Sequence, residues 1–397
     1  MKIENITFDF RFHSVTLVIV IRRQQLDEAI AAALRRSRVV ALVGPRQVGK
    51  TTLARALLPD SSDNYFDLER PETESQFSNP MLALESRKGL VVIDEVQRAP
   101  EVFKVLRVLA DRRGVPARFL LLGSAAPGLL RQASETLAGR IEVIEIGGVT
   151  LEEVGLRSED TLWFRGGFPL SFLAQRDEDS RAWRREFIQT FLERDLPQLG
   201  ISTPAPAMRR FWTMLAHFHG QTWNAADPAR SLGVSEPTVR RYLDWLTGTF
   251  MVRQLQPWHE NLGKRQVKAP KIYLRDSGLL HELLGIPTRE ALLSHPRSGA
   301  SWEGFALETT VRLARPDEAY FWATHAGAEL DLLMIKEGRR VGVEFKRVDA
   351  PKLTPSMSIA LKDLRLDRLH VVYPGKRRYS LSDRVEVVPL NALVQAA

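Results

Sequence analysis

The sequence contains no cysteine. That excludes a disulfide scaffold, a thiolate zinc site and a cysteine nucleophile, fits a reducing compartment, and leaves oxygen or imidazole as the ligands for any metal. Long apolar runs are missing too. The nearest approach, Val15 to Ile21, is seven residues long, against the roughly 18 to 20 that a membrane-crossing helix needs. Export is disfavoured because Glu4 and Asp9 interrupt the start and no small-residue cleavage site precedes Arg22 and Arg23. A soluble, cytoplasmic chain is expected, with residues 1–21 as an N-terminal extension or an over-extended start. Repeats and low-complexity tracts are also absent. What is present is ordinary globular material: 44% hydrophobic and 26% charged residues rule out wholesale disorder. The 397 residues predict two or three modules at roughly 100 to 200 residues each. A formal charge of +8 favours polyanionic partners such as nucleic acid.

The strongest local signal starts at Val39. A β-branched run to Val43 is followed by Gly44, Pro45, Arg46, Gln47, Val48, Gly49, Lys50, Thr51 and Thr52, then by the helix-like Leu53, Ala54, Ala56 and Leu57. This is G-x-x-x-x-G-K-S/T between a strand and a helix, the pattern in which glycines let backbone N–H groups wrap a phosphate chain at a helix N-terminus. Lys50 is expected to reach the terminal phosphates and the Thr51 hydroxyl to ligate Mg²⁺. A second apolar strand, Leu90 to Ile93, ends in Asp94 and Glu95; the first carboxylate is placed to hold Mg²⁺ and the second to polarise an attacking water. A third, Arg118 to Leu122, leads to Gly123 and Ser124, whose hydroxyl is a candidate sensor of the γ-phosphate. Arg140 is a candidate to stabilise transferring phosphate, in cis or from a neighbouring subunit, or a structural ion-pair partner. Strands alternating with helices over 39–146 predict a three-layer α/β module of the P-loop NTPase type.

From Trp163 the spacing turns helical, with Trp183, Phe187, Ile188, Phe191 and Leu192 on one apolar face. Within Thr222 to Leu246, Ala229, Gly233 and Val239 have helix-turn-helix spacing. Ser235 is placed to cap the second helix, and Arg240 and Arg241 are left outside. Residues 201–275 hold 11 Lys/Arg against 4 Asp/Glu. A basic loop of Lys264, Arg265, Lys268 and Lys271 follows a strand-like segment, as a wing touching phosphates would, so DNA is the expected partner; a rigid spacer or protein-docking unit is the alternative.

After residue 296 the pattern returns to α/β. Strands Glu329 to Met334 and Val341 to Lys346 are separated by the turn Lys336-Glu337-Gly338-Arg339, and Glu344 and Lys346 share a face because side chains repeat every two residues. Asp331 and Glu344 are expected to hold Mg²⁺, with Glu303 or Glu308 completing the shell and Lys346 placing a water against a phosphodiester. A solvated sheet face, or a nuclease-like fold with an idle site, fits the same residues.

Taken together the chain resembles the prokaryotic AAA-type ATP-binding proteins with a C-terminal domain of unknown function 4143. The resemblance is carried by the phosphate loop, Ile93-Asp94-Glu95-Val96-Gln97, Leu122-Gly123-Ser124, Ala138-Gly139-Arg140, Gly166-Gly167-Phe168-Pro169, Glu193-Arg194-Asp195, Trp302-Glu303-Gly304-Phe305, Gly327-Ala328-Glu329-Leu330-Asp331 and Val343-Glu344-Phe345-Lys346. It implies ATP as nucleotide and a restriction-endonuclease-like C-terminal fold. The expected layout is an ATPase module over 22–155, a helical segment with a winged helix-turn-helix over 156–295, and a nuclease-like α/β domain over 296–397. The expected function is a P-loop ATPase, with ATP and Mg²⁺, whose nucleotide state controls DNA binding and Mg²⁺-dependent cleavage. The alternatives are an ATP-gated DNA-binding protein with an inactive nuclease-like domain, or an ATPase that remodels a partner protein.

Overall fold

The β-branched run Val39–Gly44 forms strand β1, all six residues buried. In the computed structural model, which describes residues 21–59, 61–114, 117–124, 135–261, 263 and 265–395, it lies inside a five-stranded sheet. The others are β2 (Tyr65–Asp67), β3 (Gly89–Asp94), β4 (Ala117–Ser124) and β5 (Ile141–Glu145), in the order β2-β3-β4-β1-β5. Every pairing is parallel. Parallel strands need both faces covered, which is why β1 and the middle of β3 read as unbroken apolar runs. The helix Val102–Ala110 covers one face with Val102, Phe103, Leu106 and Leu109, packed on Val91, Ile93, Phe119 and Leu121. The strand order puts β4 between β1 and β3, so the carboxyl ends of β1, β4 and β3 lie side by side.

This sheet belongs to one compact unit, residues up to Val149 with Gly248–Phe250; Thr150–Thr247 and Met251–Ala397 form the other. The second unit opens on a capping box, in which Thr150 and Glu153 satisfy each other's backbone N–H groups. The helix Asp177–Thr190 runs into a π-helical turn, Phe191–Asp195. Trp183, Phe187 and Phe191 stack in series and Phe191 meets Trp212, the apolar face expected from their spacing. Gly166 takes a left-handed φ of 79°, and a Cβ there would lie 2.2 Å from Asp276 Oδ1, so the Gly-Gly-Phe-Pro stretch has a packing role.

Next come the helix Ala205–His217, β6 (Gln221–Thr222), helices Ala226–Leu232 and Glu236–Gly248, and β7 (Val252–Leu255) with β8 (Lys271–Leu274). The three strands form an antiparallel sheet in the order β6-β8-β7. The C-terminal sheet contains β9 (Glu318–Ala323), β10 (Glu329–Lys336), β11 (Arg339–Phe345), β12 (Arg368–Tyr373), β13 (Tyr379–Ser382) and β14 (Val385–Pro389), in the order β13-β14-β12-β11-β10-β9. Its β9-β10-β11 half is antiparallel and β11-β12-β14 is parallel. Glu337 and Gly338 close the β10–β11 hairpin with φ of 50° and 77°, the two positive values that a tight two-residue turn needs. The loop between β7 and β8 lies along β9: Trp258 N donates to Phe321 O at 2.7 Å, and Val267 N to Ala323 O at 3.0 Å. An edge strand is thereby covered. No helix among the described residues is long and apolar enough to cross a membrane.

Candidate functional site

In the first unit the phosphate loop leaves the carboxyl end of β1. Gly44 pairs with Ser124 across β1 and β4, and a Cβ on Gly44 would come within 2.0 Å of Ile146 O, so only glycine fits there. Gln47 and Gly49 take positive φ, 62° and 92°, turning the chain into the Lys50–Ala56 helix. Pro45 and Val48 are buried in the loop, Arg46 lies 3.6 Å from Glu69, and Thr52 is exposed on the first helical turn. Lys50 Nζ donates to the carbonyl oxygens of Gly44 (2.9 Å) and Pro45 (2.6 Å). Burial lowers this lysine to about 8, against the pull of Glu95 and Asp94, so the ammonium is held inside the loop at a cost that a phosphate would relieve.

Thr51 Oγ1 donates to Asp94 Oδ2 at 2.8 Å, joining the two motifs read from the sequence. Asp94 Oδ1 accepts from the Glu95 N–H at 2.9 Å. Glu95 sits in the left-handed region, φ 54°, and contacts the Gln97 amide. Burial raises its carboxyl, with Arg46 working the other way. The backbone of Ser124 lies at this edge; its side chain is outside the described residues. Arg140 does not join the site of its own chain. It precedes β5, whose first residue pairs with Val39 at the amino end of β1, the opposite edge of a parallel sheet. There Arg140 forms a forked pair with Asp111, 2.7 and 2.9 Å, and the cis role is corrected to a surface ion pair.

Two residues the motifs did not reveal support this edge. The buried Arg23 donates to Val48 O (3.1 Å), Gly147 O (3.1 Å) and Gly148 O (2.9 Å), tying the loop to the chain beyond β5. Tyr65 Oη donates to Asp94 Oδ2 at 2.5 Å, with the Arg55 guanidinium 4.2 Å from its ring centre. A lone arginine or tyrosine carries no spacing signal, so neither could be found from sequence.

In the second unit Ser235 accepts from Thr238 N at 3.4 Å. Val239, Tyr242, Leu243 and Leu246 are buried, and Gly233 is left-handed at φ 67°. Arg240 and Arg241 are exposed; Arg240 lies 3.5 Å from Glu236 and Arg241 over the Trp245 ring. Arg265 is exposed, and Lys264 lies outside the described residues. Lys271 contradicts the wing reading: its side chain is 4% exposed and turned inward.

Around Lys271 the carboxylates converge. Its Nζ lies 3.4 Å from Asp331 Oδ1 and 3.9 Å from Glu303 Oε1, and it also contacts Glu329. Lys346 Nζ lies 2.6 Å from Glu344 Oε2 and 3.7 Å from Asp331 Oδ2. Asp331 Oδ2 accepts from Phe345 N at 3.0 Å, and Glu303 Oε1 from Tyr273 Oη at 2.7 Å. Glu303 therefore joins Asp331, Glu344 and Lys346, whereas Glu308 is bound by Arg253 and Arg275. Glu303 reaches the cluster from a helix whose next residue, Gly304, is pressed on His219; a Cβ there would lie 2.2 Å from Nε2. Burial and the charge of Asp331 push Glu344 up to about 8 and Glu303 to about 7. Burial also works against Asp331, but Lys271 and Lys346 hold its carboxyl below the usual range. No three acidic or imidazole groups among the described residues are arranged to hold a metal ion; Asp331 and Glu344 face ammonium groups.

Residues 36–155 match the AAA domain family, 156–290 a domain of unknown function (DUF8612) and 298–393 a domain of unknown function (DUF4143). The chain is similar to a Walker-type ATPase of Pyrococcus abyssi at 16% identity, covering 70% of this chain and 99% of that one, with a TM-score of 0.46. It is 52% identical over 376 residues to the uncharacterized proteins Rv2008c of Mycobacterium tuberculosis and Mb2031c of Mycobacterium bovis, covering 95% of this chain and 85% of each of those. The chain belongs with them to a family of AAA-type proteins that carry a C-terminal DUF4143 domain.

Proposed function

We propose that the chain is an ATP hydrolase. The observation that carries this reading is the 2.8 Å contact of Thr51 with Asp94 beside the buried Lys50, because it joins a phosphate-loop hydroxyl to a strand-end carboxylate as a Mg²⁺–nucleotide site requires. The residues fit that pair: Gly49 opens the loop, Lys50 supplies a cation to phosphate, and Thr51 and Asp94 are the groups that would hold the ion. Bound Mg²⁺ would supply charge neutralisation for the phosphates. Glu95 is the base, since a carboxyl raised by burial is a better proton acceptor for an attacking water than an ordinary carboxylate. The test is nucleotide binding and phosphate release by the full chain. Lys50→Ala should lose ATP binding. Glu95→Gln should keep it while turnover falls by roughly 10²- to 10⁴-fold. A wild-type chain that takes up no ATP would sink the proposal.

Two finer readings belong to the second unit. The order helix, β6, two helices, β7 and β8 supports a winged helix-turn-helix, and the exposed Arg240 and Arg241 on its second helix support DNA as partner. The meeting of Glu303, Asp331, Glu344 and Lys346 supports a nuclease-like carboxylate–lysine site, in which the carboxylates would hold Mg²⁺ and Lys346 would place water. Plasmid nicking that needs Mg²⁺ and Asp331 is the test of that site.

A further inference from the structure

Lys271 lies sixty residues before Asp331 in sequence, on β8 of the three-stranded sheet, yet its ammonium ends among the carboxylates of the C-terminal sheet. It approaches Asp331, Glu303 and Glu329, and the first two are carboxylates that the nuclease-like reading gives to a divalent ion. A second ammonium, that of Lys346, is already on Glu344 and Asp331. We propose that Lys271 is a tethered counter-ion that keeps this carboxylate site closed to divalent metal, so that the site opens only when β8 withdraws its lysine. The inference rests on the nuclease-like reading of the same residues and names its regulation.

The argument is electrostatic and steric. An ammonium among three carboxyl groups satisfies the lone pairs that would otherwise turn to a metal, and a cation already in place repels a second one. Burial works against the charge on Lys271, but Tyr273, Asp331, Glu303 and Glu329 outweigh it and hold the ammonium well above the usual lysine range. What can release it is movement of β8. That strand is paired with β6 and β7, and β7 follows the Glu236–Gly248 helix that bears Arg240 and Arg241. A ligand that shifts the helix-turn-helix thus has a direct mechanical connection to the plug.

The experiment counts Mn²⁺ ions bound by the nucleotide-free full chain, by electron paramagnetic resonance, with folding followed by circular dichroism. The wild type should bind none in this site. Lys271→Ala should bind one ion, and the ion should be lost again when Asp331→Asn is added. Lys271→Gln, which keeps the length and a hydrogen-bonding end without the charge, should behave like Lys271→Ala and replaces it if the shorter side chain prevents folding. Asp331-dependent Mn²⁺ in the wild type would overturn the plug and leave the metal-site reading standing. No Mn²⁺ in a folded Lys271 variant would overturn both.

Discussion

Arg23 ties the phosphate loop down without taking part in its motif. Its guanidinium spans from Val48 to the Gly147–Gly148 segment, and its planar fork meets carbonyls at both ends. A lysine has the charge but a single point of contact. Arg23→Ala should leave buried carbonyls unsatisfied and destabilise the first unit by ~2–4 kcal/mol. It should also weaken ATP binding by about tenfold, since the loop must then be ordered by the ligand. Arg23→Lys should recover only part of either loss. Denaturant unfolding with a nucleotide titration checks both; full ATP affinity in Arg23→Ala would show that the loop holds its own shape. The motif residues around it, Gly44 to Thr52, were legible because their signal is local, whereas Arg23 and Tyr65 act through the fold.

At the scale of elements, the β10–β11 hairpin brings Glu344 against Asp331 and makes the C-terminal sheet pH-sensitive. Burial pushes Glu344 up to about 8 from 4.5, so the folded state binds a proton that the unfolded state has lost. Its contribution to stability is present below about 4.5 and disappears as pH rises through 8. The buried His219 and His281, both lowered to about 3 from 6.5, act oppositely: their contribution is present above 6.5 and is lost as pH falls toward 3. E344Q cannot titrate. Its thermal midpoint should therefore gain on the wild type from pH 5 to about pH 8 and level off by pH 9, and a constant difference across that range would show that Glu344 is ionised throughout. The hairpin itself was legible, since Glu337-Gly338 between two alternating strands is a turn signal. The part played by Lys271 was not. Lys271 read as one more basic wing residue because its carboxylate partners Glu303, Glu329 and Asp331 lie 32 to 60 positions downstream in the sequence. Pattern within a segment says nothing about which distant charge will meet it.

For the whole molecule, the same effect revises the charge argument for DNA. Of the 11 basic residues in 201–275, Lys271 is committed to the carboxylate cluster and Arg253 and Arg275 to Glu308. The basic excess of that stretch is therefore partly internal, and its outward field is weaker than the residue count suggests. Arg209, Arg210 and Arg230 are exposed, as are Arg240 and Arg241 on the Glu236–Gly248 helix and Arg265 and Lys268 in the loop after β7. The Arg240–Glu236 pair is exposed at both ends, so it costs little to break when a phosphate competes. If these groups neutralise DNA phosphates, each contributes about −0.9 to the slope of log affinity against log salt. The double variant R240A/R241A should therefore flatten the slope by roughly 2 and weaken binding more at low salt than at high salt. Replacing Arg253, which is held by Glu308, should leave the slope unchanged even though it destabilises the fold. Duplex binding measured across a salt series separates the two. An unaltered slope in R240A/R241A would move the DNA contact off this helix, and a flattened slope on losing Arg253 would mean that the Glu308 cluster opens toward the ligand.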